Sequence, residues 1–395
     1  MLDPGSIPGV SIIELANTYI MANTCKSTFS TSKEEIKMSG NEEQKDDVYI
    51  NQLDDEFDFV DAFDDQDSST GDDLLPDNTA VSALDVAFLG IGGGGGKLAK
   101  AFIDAGFSRS LLVNTTIKDQ PEGVDEKNFL LLPGADGVGK DIDLGKKILS
   151  ENSALVEDAI RARLGKPDWI FVLAGGGGGT GSSCSVLHDA LTRHLTSTGA
   201  SGRVVYVLSK PGSQEMLNST IARNFNQALD DISDYPHIVI DNEKQLELLR
   251  NKVGMLNLYP VANKMFAKLL SQVFKLAATH SDIQTFDSKD LESCLKHEGR
   301  IVVGSTVIRD TSRKDLGAAV LTGCIKSSPC PTPATRLRSG ALLMVASSAM
   351  VGDPTVSKNL EAAFSYVGGR TDTMFSGVYV KENAPGLIAL CLLAE

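Results

Sequence analysis

The sequence predicts an α/β fold with a parallel sheet covered by helices, followed by a long helix and a second α+β domain with a mixed sheet. Three observations carry this. Short, continuously apolar strand runs alternate with helical runs up to about residue 250, the pattern of parallel strands buried on both faces. Two glycine runs, Gly90–Gly96 and Gly175–Gly181, each stand between an apolar strand and a helix. After residue 300, strand-like runs cluster with helices inserted among them.

The first strand is expected at Leu84–Leu89, with Lys97–Ala105 as its helix and Ser110–Asn114 as the second strand. A loop through Pro133-Gly134-Ala135-Asp136-Gly137 leads to a helix at about 141–163. Strand Trp169–Ala174 and helix Cys184–Thr196 bracket the second glycine run. Val204–Ser209 and His237–Ile240 read as strands around the helix Asn218–Ile232. The long helix is expected over Met255–His280 and a short one over Ser288–Gly299. Arg300–Ile308, Ala341–Ala346, Phe375–Lys381 and Gly386–Leu393 read as strands, with helices at about 313–326 and 356–366. The expected divisions are 1–80, 81–254, 255–280 and 281–395.

Of the 395 residues, 52 are Asp or Glu and 37 Lys or Arg, a net charge of −15. Residues 1–80 hold 19 acidic and 4 basic side chains, and the rest is balanced at 33 of each. The whole imbalance therefore belongs to an N-terminal segment that is expected to be disordered, because its apolar content is too low to offset ordering entropy. Met38 is a candidate native start. No part carries a net positive field, which argues against direct nucleic-acid binding. The six cysteines contain no C-x-x-C pair and no Cys/His cluster, so zinc and a disulfide framework are not expected. Val10–Ala22 is interrupted by Glu14 and follows no basic residue, and Ala341–Val351 is too short to span a bilayer. A cytoplasmic protein without a transmembrane segment is expected.

Glycine permits positive φ and close backbone approach, and a helix N-terminus offers unpaired N–H groups and a positive dipole end. Two such turns meet the requirements for cradling phosphates; the plainer reading is a pair of flexible low-complexity loops. Gly90-x-Gly92-x-x-Gly95 formally fits a dinucleotide fingerprint, but Asn114-Thr115-Thr116 stands near the place where an acidic ribose ligand is wanted. Neither run contains the Gly-Lys-Ser/Thr of a Walker A loop.

Gly176-Gly177-Gly178-Gly179-Thr180-Gly181-Ser182 resembles the signature of the tubulin/FtsZ superfamily, closest to its FtsZ-like prokaryotic, plasmid and phage branches, over about residues 84–395. The resemblance implies a Rossmann-like GTP-binding domain, bound GTP/GDP with Mg2+, and head-to-tail homopolymers. It implies phosphate contacts at Gly92, Gly93, Gly94 and Gly95, at Asn114, and at Gly177, Gly178, Gly179, Thr180 and Gly181. Pro133–Gly139, with Ala135, is similar to the loop that senses the γ-phosphate. Lys210-Pro211-x-x-x-Glu215 resembles the ribose segment, with Ser219 where the family has arginine. Asn242 would support the base, Tyr259 would stack on guanine and Asn263 would bond its edge. Tyr259 and Asn263 are spaced i, i+4, on one helical face. Without the resemblance, Tyr259 reads as an ordinary half-buried aromatic.

Thr285-Phe286-Asp287-Ser288-Lys289-Asp290 matches the family's Asn-x-Asp-x-x-Asp hydrolysis loop, with Thr285 in place of Asn. The resemblance implies that Asp287 and Asp290 activate water at the nucleotide of the adjacent subunit. Taken alone they read as a helix cap with an acidic first turn. The implied protein is a polymerising GTPase, in cell division or in DNA or phage segregation. The closing run, Leu387–Glu395, stands where division proteins of the family continue further, which leaves room for plasmid- or phage-type segregation filaments or an accessory homologue. The alternatives are a nucleotide-binding filament with little hydrolysis and an NAD-binding oxidoreductase. The acidic segment reads as a solvated brush, or as an adaptor-docking motif through Phe57, Phe59, Val60 and Phe63.

Overall fold

The computed structural model describes residues 82–250 and 252–395. The acidic segment, with its candidate start and docking motif, lies outside the described residues. Strand β1 (Val86–Ile91) leads into helix α1 (Gly92–Asp104), followed by β2 (Ser110–Asn114) and β3 (Phe129–Leu131). Helices α2 (Ile142–Glu151) and α3 (Ser153–Arg163) precede β4 (Trp169–Gly175), a short α4 (Gly179–Ser182) and α5 (His188–Thr198). Then come β5 (Val204–Lys210), α6 (Ser213–Met216), α7 (Ser219–Ile232), β6 (Pro236–Asp241), α8 (Asn242–Leu249) and α9 (Leu258–Ala277). The remainder is α10 (Ser288–Leu295), β7 (Gly299–Ile308), α11 (Leu316–Ser327), β8 (Leu337–Ala346), α12 (Ser348–Gly352), α13 (Pro354–Gly368), β9 (Thr371–Val380) and β10 (Leu387–Ala394).

The strands join in the order β3-β2-β1-β4-β5-β6-β7-β10-β8-β9. Every pair from β3 to β7 is parallel; β10 is antiparallel to both β7 and β8, and β8–β9 is parallel again. The first half is the expected parallel sheet and the second the expected mixed one. Strand residues alternate between two cores. Phe88, Phe171 and Val205 enter one, while Leu89, Val172 and Tyr206 enter the other. The first core continues through Phe266 and Phe274 of α9 to β7, β8 and β10, so one helix packs on both halves of the sheet.

Five features differ from the sequence expectation. Helix α1 starts at Gly92, five residues early, inside the glycine run. Each glycine costs a helix roughly 1 kcal/mol against alanine, yet a Cβ on Gly95 would lie 2.1 Å from the Leu173 carbonyl oxygen. The bare backbone is what lets α1 sit on β4, so these glycines are packed rather than flexible. The helix expected at 141–163 is broken at Asn152, whose Nδ2 donates to the Ile148 and Pro133 carbonyls. Strand β3, of three residues, and helix α8 were not foreseen. The long helix is shorter than expected at 20 residues, preceded by a 3₁₀ turn over Met255–Asn257.

Candidate functional site

The C-terminal ends of the parallel strands open onto a cleft of about 640 Å³. Both glycine turns form its floor. A Cβ on Gly94 would lie 3.3 Å from the Gly175 Cα, and one on Gly92 would lie 3.0 Å from the Gly181 nitrogen. The two runs therefore meet backbone to backbone, and Gly92 adopts φ 71°, which side chains disfavour. The first turn of α1 has no side-chain cap, which leaves its N–H groups available at the cleft. Thr115 and Thr180 are buried and share a hydroxyl contact of 3.1 Å that ties β2's end to the second turn.

One wall is a loop clamped onto the second glycine turn. Gly179 N–H donates to the Gly139 carbonyl at 2.8 Å, and Ser183 Oγ donates to Ile142 O at 3.0 Å. A Cβ on Gly179 would lie 2.4 Å from the Asp141 carbonyl oxygen. The residues of this loop that line the cleft are Gly137, Val138, Gly139 and Lys140. Ala135, expected here, packs against the core behind them instead. Asp136 turns away to Lys118 and Thr116, and these bonds lower its carboxyl pKa, with the Lys118 bond as the larger cause.

The opposite end gathers Ser209, Pro211, Glu215, Asn242, Tyr259 and Asn263. Lys210 pairs with Asp241 at 2.7 Å, and Asp241 caps α8 through the Glu243 and Lys244 N–H groups. Glu243 Oε2 accepts from Ser213 N–H and Glu215 Oε2 from Gly212 N–H, so the Lys210–Glu215 segment is laced to the start of α8. Tyr259 remains 43% exposed. Partial burial, then the Glu215 and Glu243 charges, push its phenol up from the ordinary value. Ser219 is exposed and does not line the cleft.

The cleft thus collects Gly92, Gly93, Gly94, Asn114, Gly177–Gly181, Glu215, Asn242, Tyr259 and Asn263. Gly95 lies beneath it against β4. The sequence reading missed Lys97, Thr115, Thr116, Asp119 and Lys140, which also line it. Asn114 Nδ2 reaches Asp119 Oδ2 at 3.5 Å, a proximity that the sequence between them does not advertise. Among the described residues, no group of three or more His, Cys, Asp or Glu forms a metal cage. Magnesium usually keeps one or two protein carboxylates and takes phosphate oxygens; Asp119, whose Oδ2 would lie 2.7 Å from a Cβ on Gly93, fits that mode.

Asp287 and Asp290 stand elsewhere. Helix α9 carries Tyr259 near its start, and its 20 residues extend about 30 Å before the loop at 278–287 begins. That loop is fixed to β9: Phe286 N–H donates to Tyr379 Oη at 3.1 Å, and Gln284 Nε2 donates to Ser376 Oγ at 2.6 Å. Asp287 caps α10 through the Lys289 and Asp290 N–H groups, at 2.7 and 3.1 Å. Its residue is exposed. Burial raises the pKa of Asp290, against the bond from Asp287 N–H. The Thr285 hydroxyl donates to Ser281 O and accepts from Ser281 N–H, closing the loop on itself.

No protein-family model matches the chain. Its structure is similar to CetZ2 from Haloferax volcanii, solved as a GTPγS-bound protofilament, at 21% identity and a TM-score of 0.63, covering 79% of this chain and 93% of that one. It is similar to a GTPγS-form protofilament of TubZ from Bacillus thuringiensis serovar israelensis at 17% identity and TM-score 0.64, covering 79% and 88%. An empty FtsZ dimer from M. jannaschii matches at 18% identity and TM-score 0.60, also covering 79% and 88%. The fold is that of the tubulin/FtsZ superfamily.

Proposed function

We propose that the chain, with its tubulin/FtsZ fold, binds guanine nucleotides and hydrolyses GTP in head-to-tail filaments, each site being completed by the next copy. One observation carries this. The cleft lining holds groups suited to phosphate, sugar and base but not the expected catalytic carboxylates, which follow the far end of α9, a helix about 30 Å long. Asp287 and Asp290 reach a nucleotide only if a second copy brings them. A contact between unlike faces is heterologous and propagates when it does not close. Filaments in cell division or in DNA or phage segregation are the roles this supports.

In this reading the backbone N–H groups of the two glycine turns hold the phosphates. Glu215 accepts from the ribose hydroxyls, Tyr259 covers one base face, and Asn263 and Asn242 bond its edge. A bound magnesium ion, held by phosphates and Asp119, would neutralise phosphate charge. Asp287 and Asp290 of the incoming copy orient and polarise the attacking water. A filament with little hydrolysis is the second reading, favoured by Thr285, whose hydroxyl is already committed to Ser281. Phosphate release during assembly separates the two.

The GTPase rate per monomer should rise with protein concentration above a threshold, with filaments visible by electron microscopy above the same threshold. A rate independent of concentration sinks the shared site. Tyr259→Ala should weaken guanosine and GTP binding alike, by about 1–3 kcal/mol if stacking is worth what it is on aromatic nucleic-acid platforms. Unchanged guanosine affinity by fluorescence titration would place the base elsewhere.

A further inference from the structure

We propose that Lys97 and Lys140 are direct ligands of the nucleotide's phosphate chain, so that this cleft supplies its own cationic charge in addition to backbone N–H groups. The inference rests on the guanine-nucleotide reading of the cleft. Both lysines line it together with the two glycine turns. Lys97 stands one residue past the run Gly92–Gly96 on α1, and Lys140 one residue past Gly139. Both residues are exposed, and among the described residues neither pairs with a carboxylate. Their neighbours do: Lys100 binds Asp104, Lys118 binds Asp136 at 3.1 Å and Lys146 binds Asp231 at 2.6 Å. The acidic residues of the cleft lining are Asp119 and Glu215, and Glu215 belongs to the opposite end.

The backbone that carries Lys140 is held in place. Asn224, fully buried on α7, donates from Nδ2 to the Lys140 carbonyl at 2.8 Å and to the Gly177 carbonyl at 3.4 Å. One amide nitrogen thus spans the lysine loop and the second glycine turn. The lysine's flexible four-carbon stem therefore starts from a point fixed beside the phosphate floor. Two ammonium groups without carboxylate partners among the described residues, over a floor of backbone donors, form an anion site. A charge-assisted hydrogen bond to phosphate is worth enough to change affinity by about tenfold or more.

The test is equilibrium binding of guanosine, GDP and GTP to the full chain in EDTA, so that no divalent cation contributes, for wild type, Lys97→Met, Lys140→Met and the double variant. Each single variant should bind GTP about tenfold more weakly, the double variant more weakly still, with guanosine affinity unchanged. Wild-type GTP binding should also fall with added salt more steeply than that of the double variant, because two of its contacts are ionic. Variants that bind GTP like wild type overturn the proposal, as does an equal loss for guanosine and GTP, which would mark a structural role. A wild type that binds none of the three ligands instead defeats the guanine-nucleotide reading itself.

Discussion

Asp287→Asn should leave nucleotide binding and helix α10 intact while GTP turnover falls by about 10²–10⁴-fold, the usual worth of general-base assistance. Asparagine is the informative replacement because Asp287 has two jobs. Its Oδ1 accepts from the Lys289 and Asp290 N–H groups, a cap whose loss to alanine costs roughly 1 kcal/mol. Asn keeps an oxygen there and removes only the charge. If the cap were the whole role, Asp287→Asn would turn over GTP like wild type. Mixing separates a shared site from one within the chain. Gly94→Val fills the cleft floor beside Gly175 but keeps its own Asp287. An equal mixture of the two inactive variants should regain turnover, because the intact cleft of one meets the intact loop of the other. No recovery in a mixture that still forms filaments would show that the loop does not act across subunits.

Neighbouring glycines should respond in opposite ways. Gly95→Ala places a Cβ 2.1 Å from the Leu173 carbonyl oxygen and 2.9 Å from its carbon. Both are backbone atoms of a central strand, so no side chain can give way. A loss at or beyond the upper end of the roughly 1–3 kcal/mol seen for overpacked cores is expected. It should appear as a lower urea midpoint with an unchanged slope. At Gly96 the nearest atom to a new Cβ is the Leu112 Cδ2, at 3.4 Å. Gly96→Ala should be neutral, or stabilising by up to about 1 kcal/mol through helix propensity. Equal responses at the two positions would refute the packed-helix account of the run.

The strands were legible because apolar runs such as Trp169–Ala174 need no knowledge of their neighbours. The helices with clear periodicity and caps, such as α7 behind Asn218, were equally plain. Gly92, Asn114, Thr180, Glu215, Tyr259 and Asn263 were named from motif order, and the fold gathers them into one cleft. What was misread depends on contacts between distant segments. Intrinsic propensity argues against starting a helix at Gly92, and only the approach of α1 to β4 reverses that. Ala135 is expected at the site only from the resemblance of Pro133–Gly139 to a family loop, whereas docking on Gly179 puts Gly137, Val138, Gly139 and Lys140 at the cleft. Strand β3 is too short for periodicity to announce it.

The sequence alone determined the order of the main strands and helices, the parallel-then-mixed sheet and the placing of each glycine run between a strand and a helix, because these follow from local patterns of burial and backbone freedom. Tertiary structure decided three other matters: which backbones touch, which cleft lysines have no carboxylate partner among the described residues, and that Asp287 and Tyr259 lie at opposite ends of α9. Those are distances between residues far apart in the chain, and no local pattern of side chains encodes them.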